Sequence, residues 1–137
     1  METSNNPLKP RLGYRQLEAW KQSRELAIKC VKVSLGDPMR RLRGLCDQIQ
    51  RSSVSVPSNI AEGEERGSNK DSLRFLYIAK GSLAELRTQL DIARECGGIN
   101  QEEFVAFDLK VSTVTALLVG LIKRRKLYEE SLHFSKR

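Results

Sequence analysis

Apolar residues recur at spacings of three and four along four stretches of the chain, and the polar breaks between those stretches are short. Leu17, Trp20, Ala27, Val31 and Ser34 mark the first, with Leu26, Ile28 and Val33 widening the apolar face, which predicts an amphipathic helix over about 14–35. Gly36-Asp37-Pro38 closes it with a terminal glycine, a capping aspartate and a proline suited to a helix start. A second repeat, Leu42, Leu45, Ile49, Ser52 or Ser53, Val56 and Ile60, predicts a helix over 39–63 with Pro57 inside it. A proline there removes one backbone hydrogen bond and crowds the Ser53 carbonyl, at a cost of roughly 3 kcal/mol unless something offsets it. The repeat keeps its phase across Pro57, so one helix kinked at that residue is expected, with the Ser52 or Ser53 hydroxyl relieving the freed groups. Ser72, Leu76, Ala79, Leu83, Leu86, Leu90 and Ala93 hold a heptad rhythm over 69–96, entered through Ser68-Asn69-Lys70-Asp71 and stopped by Gly97-Gly98. Asn100 with Glu103 opens a fourth helix over 101–127, whose stripe is Phe104, Phe107, Val111, Val114, Leu118 and Leu121.

Four helices of similar length joined by short connections predict an all-α, up-down-up-down four-helix bundle, and no strand pattern competes with it. The expected organisation is a mobile leader over 1–12, a bundle domain over 13–128 and a C-terminal tail over 129–137. Cys46, Val54, Phe75, Ile78, Val105, Leu109, Ala116, Val119 and Ile122 are apolar or small yet lie off the main stripes. Either they widen one core face or they form a second face for contact between subunits.

Composition narrows the class. A chain of 137 residues is long enough for one domain with a real core. Its 24 Lys and Arg against 17 Asp and Glu give a net charge of +7, which admits an anionic partner or serves solubility alone. Cys30, Cys46 and Cys96 are widely spaced and odd in number, which argues against a disulfide framework or a thiolate zinc site and for a reducing compartment. No apolar leader segment is visible, and the run Val111–Ile122 is too short to span a bilayer, so a cytoplasmic location without membrane attachment is expected.

Two polar ladders stand out. Ser55, Asn59, Glu62 and Arg66 lie on one side of the second helix, and Ser82, Glu85 and Gln89 repeat that geometry on the third. Their structural reading, together with Arg51, Pro57 and Gly81, is a device that fixes helix register and assembly. Their chemical reading makes Glu62 and Glu85 a carboxylate pair for acid–base work or metal binding, without the Glu-x-x-His motifs of bundle di-iron sites, since the one histidine, His133, lies in the tail. No phosphate-cradling glycine loop and no nucleophile–histidine motif is present, so no catalytic residue, metal or cofactor is assigned.

Charge placement adds more than charge total. Residues 1–35 hold seven Lys and Arg against three Asp and Glu. An up-down-up-down path brings Lys9, Arg11 and Arg15 to the same end as Lys123, Arg124, Arg125 and Lys126. Arg40, Arg41 and Arg43 open the second helix at the other end, where cations oppose the macrodipole. These ten residues are the candidate nucleic-acid contacts. No aromatic interleaving that would suggest base stacking is expected.

One further pattern is long enough to be specific. Tyr14-x-x-Leu17-x-x-Trp20, Gly44-Leu45, Gln48-Ile49-x-Arg51, the run Ser53-Val54-Ser55-Val56-Pro57-Ser58-Asn59-Ile60-Ala61-Glu62-Gly63, and Phe75-Leu76-x-Ile78-Ala79-x-Gly81-Ser82-Leu83-x-Glu85-Leu86 resemble the bacterial four-helix-bundle family, also called the 23S rRNA intervening-sequence protein family. The resemblance implies a left-handed bundle that assembles as a ring-shaped homopentamer. It also implies similarity to the basic, pentameric accessory protein of diversity-generating retroelements, which binds RNA and a reverse transcriptase, and no established catalytic activity. Arg40, Arg41 and Arg43 depart from the acidic and aromatic residues usual ahead of the Gly-Leu pair. The expected function is a non-enzymatic homo-oligomer that binds structured RNA or a nucleoprotein through its basic poles. The alternatives are a protein-interaction scaffold and, third, a carboxylate metalloenzyme.

Overall fold

A computed structural model describes residues 13–135; the predicted leader, with Lys9 and Arg11, lies outside them. Within them stand four helices and no strand: α1 Glu18–Leu35, α2 Arg43–Glu64, α3 Asn69–Glu95 and α4 Gln101–Ser135. Neighbours in sequence pack as neighbours in space and α1 closes against α4, as an up-down-up-down bundle requires.

The connections show why each helix begins and ends where it does. Ser68 Oγ accepts from the Asp71 backbone N–H at 3.1 Å, whereas the Asp71 carboxylate, too short for a full capping box, turns to Arg74 and Arg66. Asn100 and Glu103 form the complete box, each side chain accepting from the other's backbone N–H at 2.8 and 2.9 Å. At the end of α3, Gly97 takes φ +78°, the left-handed conformation that a side chain disfavours. The N–H groups of Gly97 and Gly98 then reach back to Arg94 and Ala93, a Schellman closure.

Three boundaries differ from the sequence expectation. Tyr14–Gln16 forms a separate 3-10 turn, and extended Leu17 divides it from α1. Met39–Arg41 forms another, so α2 begins at Arg43 and Arg40 and Arg41 precede its first turn. The cause is packing: Met39 is buried, and it and Leu42 sit so close to Gly98 that a Cβ there would fall 2.6 Å from the Met39 sulfur. Asp37 does not cap α2 but binds Arg40 and Arg41, at 2.6 and 3.5 Å. Finally, α4 continues helical to Ser135, through most of the expected tail, because nothing after Gly120 stops it.

The core holds the expected stripes of α3 and α4, with Leu86, Leu90, Val114 and Leu118 almost sealed. On α1 the buried face is rotated from the expected stripe: Ala19, Ser23, Leu26, Ala27, Cys30 and Ser34 point inward, while Leu17, Trp20 and Val33 pack at its rim. α2 is unbroken through buried Pro57. The Ser53 hydroxyl donates to the Gln50 carbonyl 3.3 Å away and the Ser52 hydroxyl to the Gln89 side chain at 2.6 Å, so neither serves the Ser53 carbonyl that Pro57 leaves without its usual donor.

By length and composition α4 passes the test for a membrane-crossing helix that the shorter run Val111–Ile122 fails. One side of it closes the bundle, and Lys110 is held by Glu25 at 2.8 Å and by Gln22, both on α1. Its outer side carries Val105 and Leu109, 54% and 69% exposed. The off-stripe residues thus divide: Cys46 and Ile122 belong to the core, whereas Val54, Ile78, Val105 and Leu109 remain open.

Candidate nucleic-acid interface

The end of the bundle where α1 and α3 start and α2 stops is built around one buried ion pair. Arg125 Nη2 donates to Glu64 Oε2 at 2.7 Å, with the two side chains only 14% and 3% exposed, and the Asn69 amide donates to the Arg125 carbonyl. The C-terminus of α2, the first residue of α3 and α4 are thereby tied together. Arg125 is thus an internal strut and not the outward cation that a four-cation turn suggests. Lys123, Arg124 and Lys126 around it are exposed, and Arg15 lies at the same end. Lys126 also reaches over the Tyr77 ring, 5.3 Å from its centroid. Beyond Arg125, α4 runs on past the start of α3 by about 15 Å at 1.5 Å per residue.

Arg66 extends this end along the α2–α3 seam. It meets Glu62 at 2.6 Å and Asp71 at 3.6 Å, and with Arg74 it flanks the Phe75 ring, each guanidinium 4.5 Å from the centroid. The opposite end is more nearly neutral. One carboxylate, Asp37, serves both Arg40 and Arg41; Arg94 binds Asp91 and Glu95; only Arg43 of the predicted trio stands without an ion pair among the described residues.

The polar ladders do face one another within one chain. Ser55 and Ser82 hydroxyls are 2.8 Å apart, the Asn59 amide donates to the Ser55 carbonyl and hydroxyl at 2.8 and 2.9 Å, and Ser52 donates to Gln89 at 2.6 Å. Those partners set the α2–α3 register. From the Ser55–Ser82 level, Glu62 lies seven residues toward one end and exposed Glu85 three toward the other, so about 15 Å of helix axis separates them. They do not form a carboxylate pair within the chain. Arg51 and Gly81 are exposed, and a Cβ on Gly81 would meet nothing within 4 Å.

One grouping was missed by the sequence reading. Tyr14 and Trp20 pack edge to face with centroids 5.2 Å apart, and Arg15 lies over the Tyr14 ring at 5.8 Å. Trp20 then lines an open cleft with Arg15, Lys21, Arg24 and Glu25. The signal was present in the alternation of aromatic and cationic residues at 14, 15, 20, 21 and 24. Glu25 faces Lys110, whose hydrogen bond and charge hold its carboxyl below the ordinary 4.5.

A four-helix bundle with exposed cations gathered at one end is the class these features define. The chain belongs to the 23S rRNA-intervening sequence protein family, whose model matches residues 15–120. Its fold is also that of a solved protein of unknown function from the S23 ribosomal protein family of Bacteroides thetaiotaomicron VPI-5482, 24% identical, with a TM-score of 0.71 over 77% of this chain and 98% of that one. No curated protein matches the chain.

Proposed function

We propose that the protein is a non-enzymatic, cytoplasmic homo-oligomer, five copies in a ring, that binds structured RNA or a nucleoprotein through the basic end of each bundle. The observation that carries this reading is the set of exposed cations at that end, Arg15, Lys123, Arg124 and Lys126, none in an ion pair among the described residues. Phosphates meeting such a surface release counterions, so affinity rests on charge number and falls steeply with salt. A ring would repeat the end around an axis and concentrate its field. The family's name, which refers to a sequence inserted in 23S rRNA, fits a nucleic-acid partner. Filter binding of a structured RNA at several salt concentrations tests the reading: affinity that declines linearly on a log–log plot supports it, and no retention at low salt overturns it.

A protein-interaction scaffold is the second reading, favoured by the open outer face of α4. Under that reading a pull-down recovers one protein partner whether or not nuclease is added.

A further inference from the structure

Each of the ion-paired groups above already has a structural use, and the apolar outer face of α4 is accounted for by contact between copies in the proposed assembly. The cleft at the start of α1 differs from both, because it combines an aromatic surface with exposed cations that form no ion pair among the described residues. Trp20 is anchored on one side by the core and braced by Tyr14, so its ring is held rather than free to rotate. Arg15, Lys21 and Arg24 are exposed around it and form no ion pair among the described residues. The one carboxylate in the lining, Glu25, is engaged by Lys110 at 2.8 Å, which lessens its repulsion of an incoming anion. Rigid aromatic surface ringed by cations is the arrangement that receives an unstacked base and its flanking phosphates.

We infer that the α1 cleft binds an unpaired nucleotide of an RNA, with the base against Trp20 and the adjoining phosphates on Arg15, Lys21 and Arg24. This rests on the RNA-binding reading and makes it specific: the basic end supplies affinity for the phosphate backbone, and the cleft selects single-stranded positions such as loops and bulges. Duplex RNA keeps its bases stacked and offers only phosphates to the same cations.

Trp20 is the chain's single tryptophan, so its emission reports this cleft alone. The test titrates the full chain with a short single-stranded oligoribonucleotide and with the same sequence annealed into a duplex, reading Trp20 emission and filter retention in parallel. The expected result is saturable quenching by the single strand and little by the duplex. The combined variant Lys21→Ala, Arg24→Ala, both at exposed positions and neither among the cations of the basic end, should lose affinity for the single strand by roughly fivefold or more while keeping its helical circular dichroism. Retention with unchanged emission, equal quenching by duplex, or full affinity in the variant overturns the cleft and leaves RNA binding at the basic end standing. No retention of either RNA overturns both.

Discussion

Arg125 shows how one residue changes meaning between sequence and structure. In the run Lys123-Arg124-Arg125-Lys126 it looks like one more surface cation, yet it lies inward against Glu64, and breaking a buried pair strands a charge away from water. Arg125→Ala should therefore cost about 3 kcal/mol in urea unfolding and leave RNA affinity per folded molecule little changed, the reverse of Lys123→Ala. Cys30 is a second buried group with a measurable consequence. Burial, partly offset by a hydrogen bond with Ser53, pushes its thiol from 9.0 up to about 12. An unfolded chain gives up that proton near pH 9 and the folded chain holds it to about 12, so the stabilisation is complete below 9 and is lost as pH climbs toward 12. Urea midpoints at rising alkaline pH should fall through that window. Alkylation at neutral pH should modify exposed Cys96 and spare Cys30 until the chain is unfolded.

At the scale of elements, helix existence was legible wherever apolar periodicity and cap chemistry agreed. The stripe of α3, its glycine stop and the Asn100–Glu103 box of α4 all stand as read. The inward face of α1 was legible only in part: Leu26, Ala27 and Ser34 stood in the predicted face, whereas Ala19, Ser23 and Cys30 are small or polar and were passed over for the larger Leu17, Trp20 and Val31. Ser23 and Ser34 hydroxyls donate to the Trp20 and Val31 carbonyls at 3.0 and 2.7 Å, and the Ser34 oxygen also accepts from the Gln50 amide of α2 at 2.6 Å, so these polar side chains sit in the core with their hydrogen bonds made. Of the candidate site, charge at one end could be read from chain order alone. The inward turn of Arg125, the sharing of Asp37 by Arg40 and Arg41 and the Tyr14–Trp20 cleft depend on side-chain direction that residue spacing leaves open. Gly63 makes the packing argument testable. A Cβ there would fall 3.1 Å from the Ser72 carbonyl oxygen and 3.3 Å from the Phe75 Cβ, so α2 and α3 approach through it. Gly44 has nothing within 4 Å. Gly44→Ala, in the first turn of α2, should gain about 0.5 kcal/mol or less from helix propensity, whereas Gly63→Ala should lose about 1–3 kcal/mol to overpacking. Chemical denaturation of both variants measures the difference in sign.

For the whole molecule, the proposal joins two surfaces: the outer face of α4, which would be covered in an assembly, and the basic end, which would face RNA. Leu109 is 69% exposed on that face. If copies meet through this face, Leu109→Asp should shift native mass spectra from the proposed pentamer toward monomer with helical content unchanged; a wild-type monomer at micromolar concentration would contradict the ring. The most direct test of the central claim is the salt dependence of RNA filter binding for the wild type beside a variant carrying Lys123→Ala, Arg124→Ala and Lys126→Ala. The account predicts measurable affinity at low salt in the wild type, and in the variant weaker binding with a log–log slope shallower by about 2 to 3. Wild-type protein that retains no RNA at low salt, or a variant with the same slope and affinity as the wild type, would contradict it.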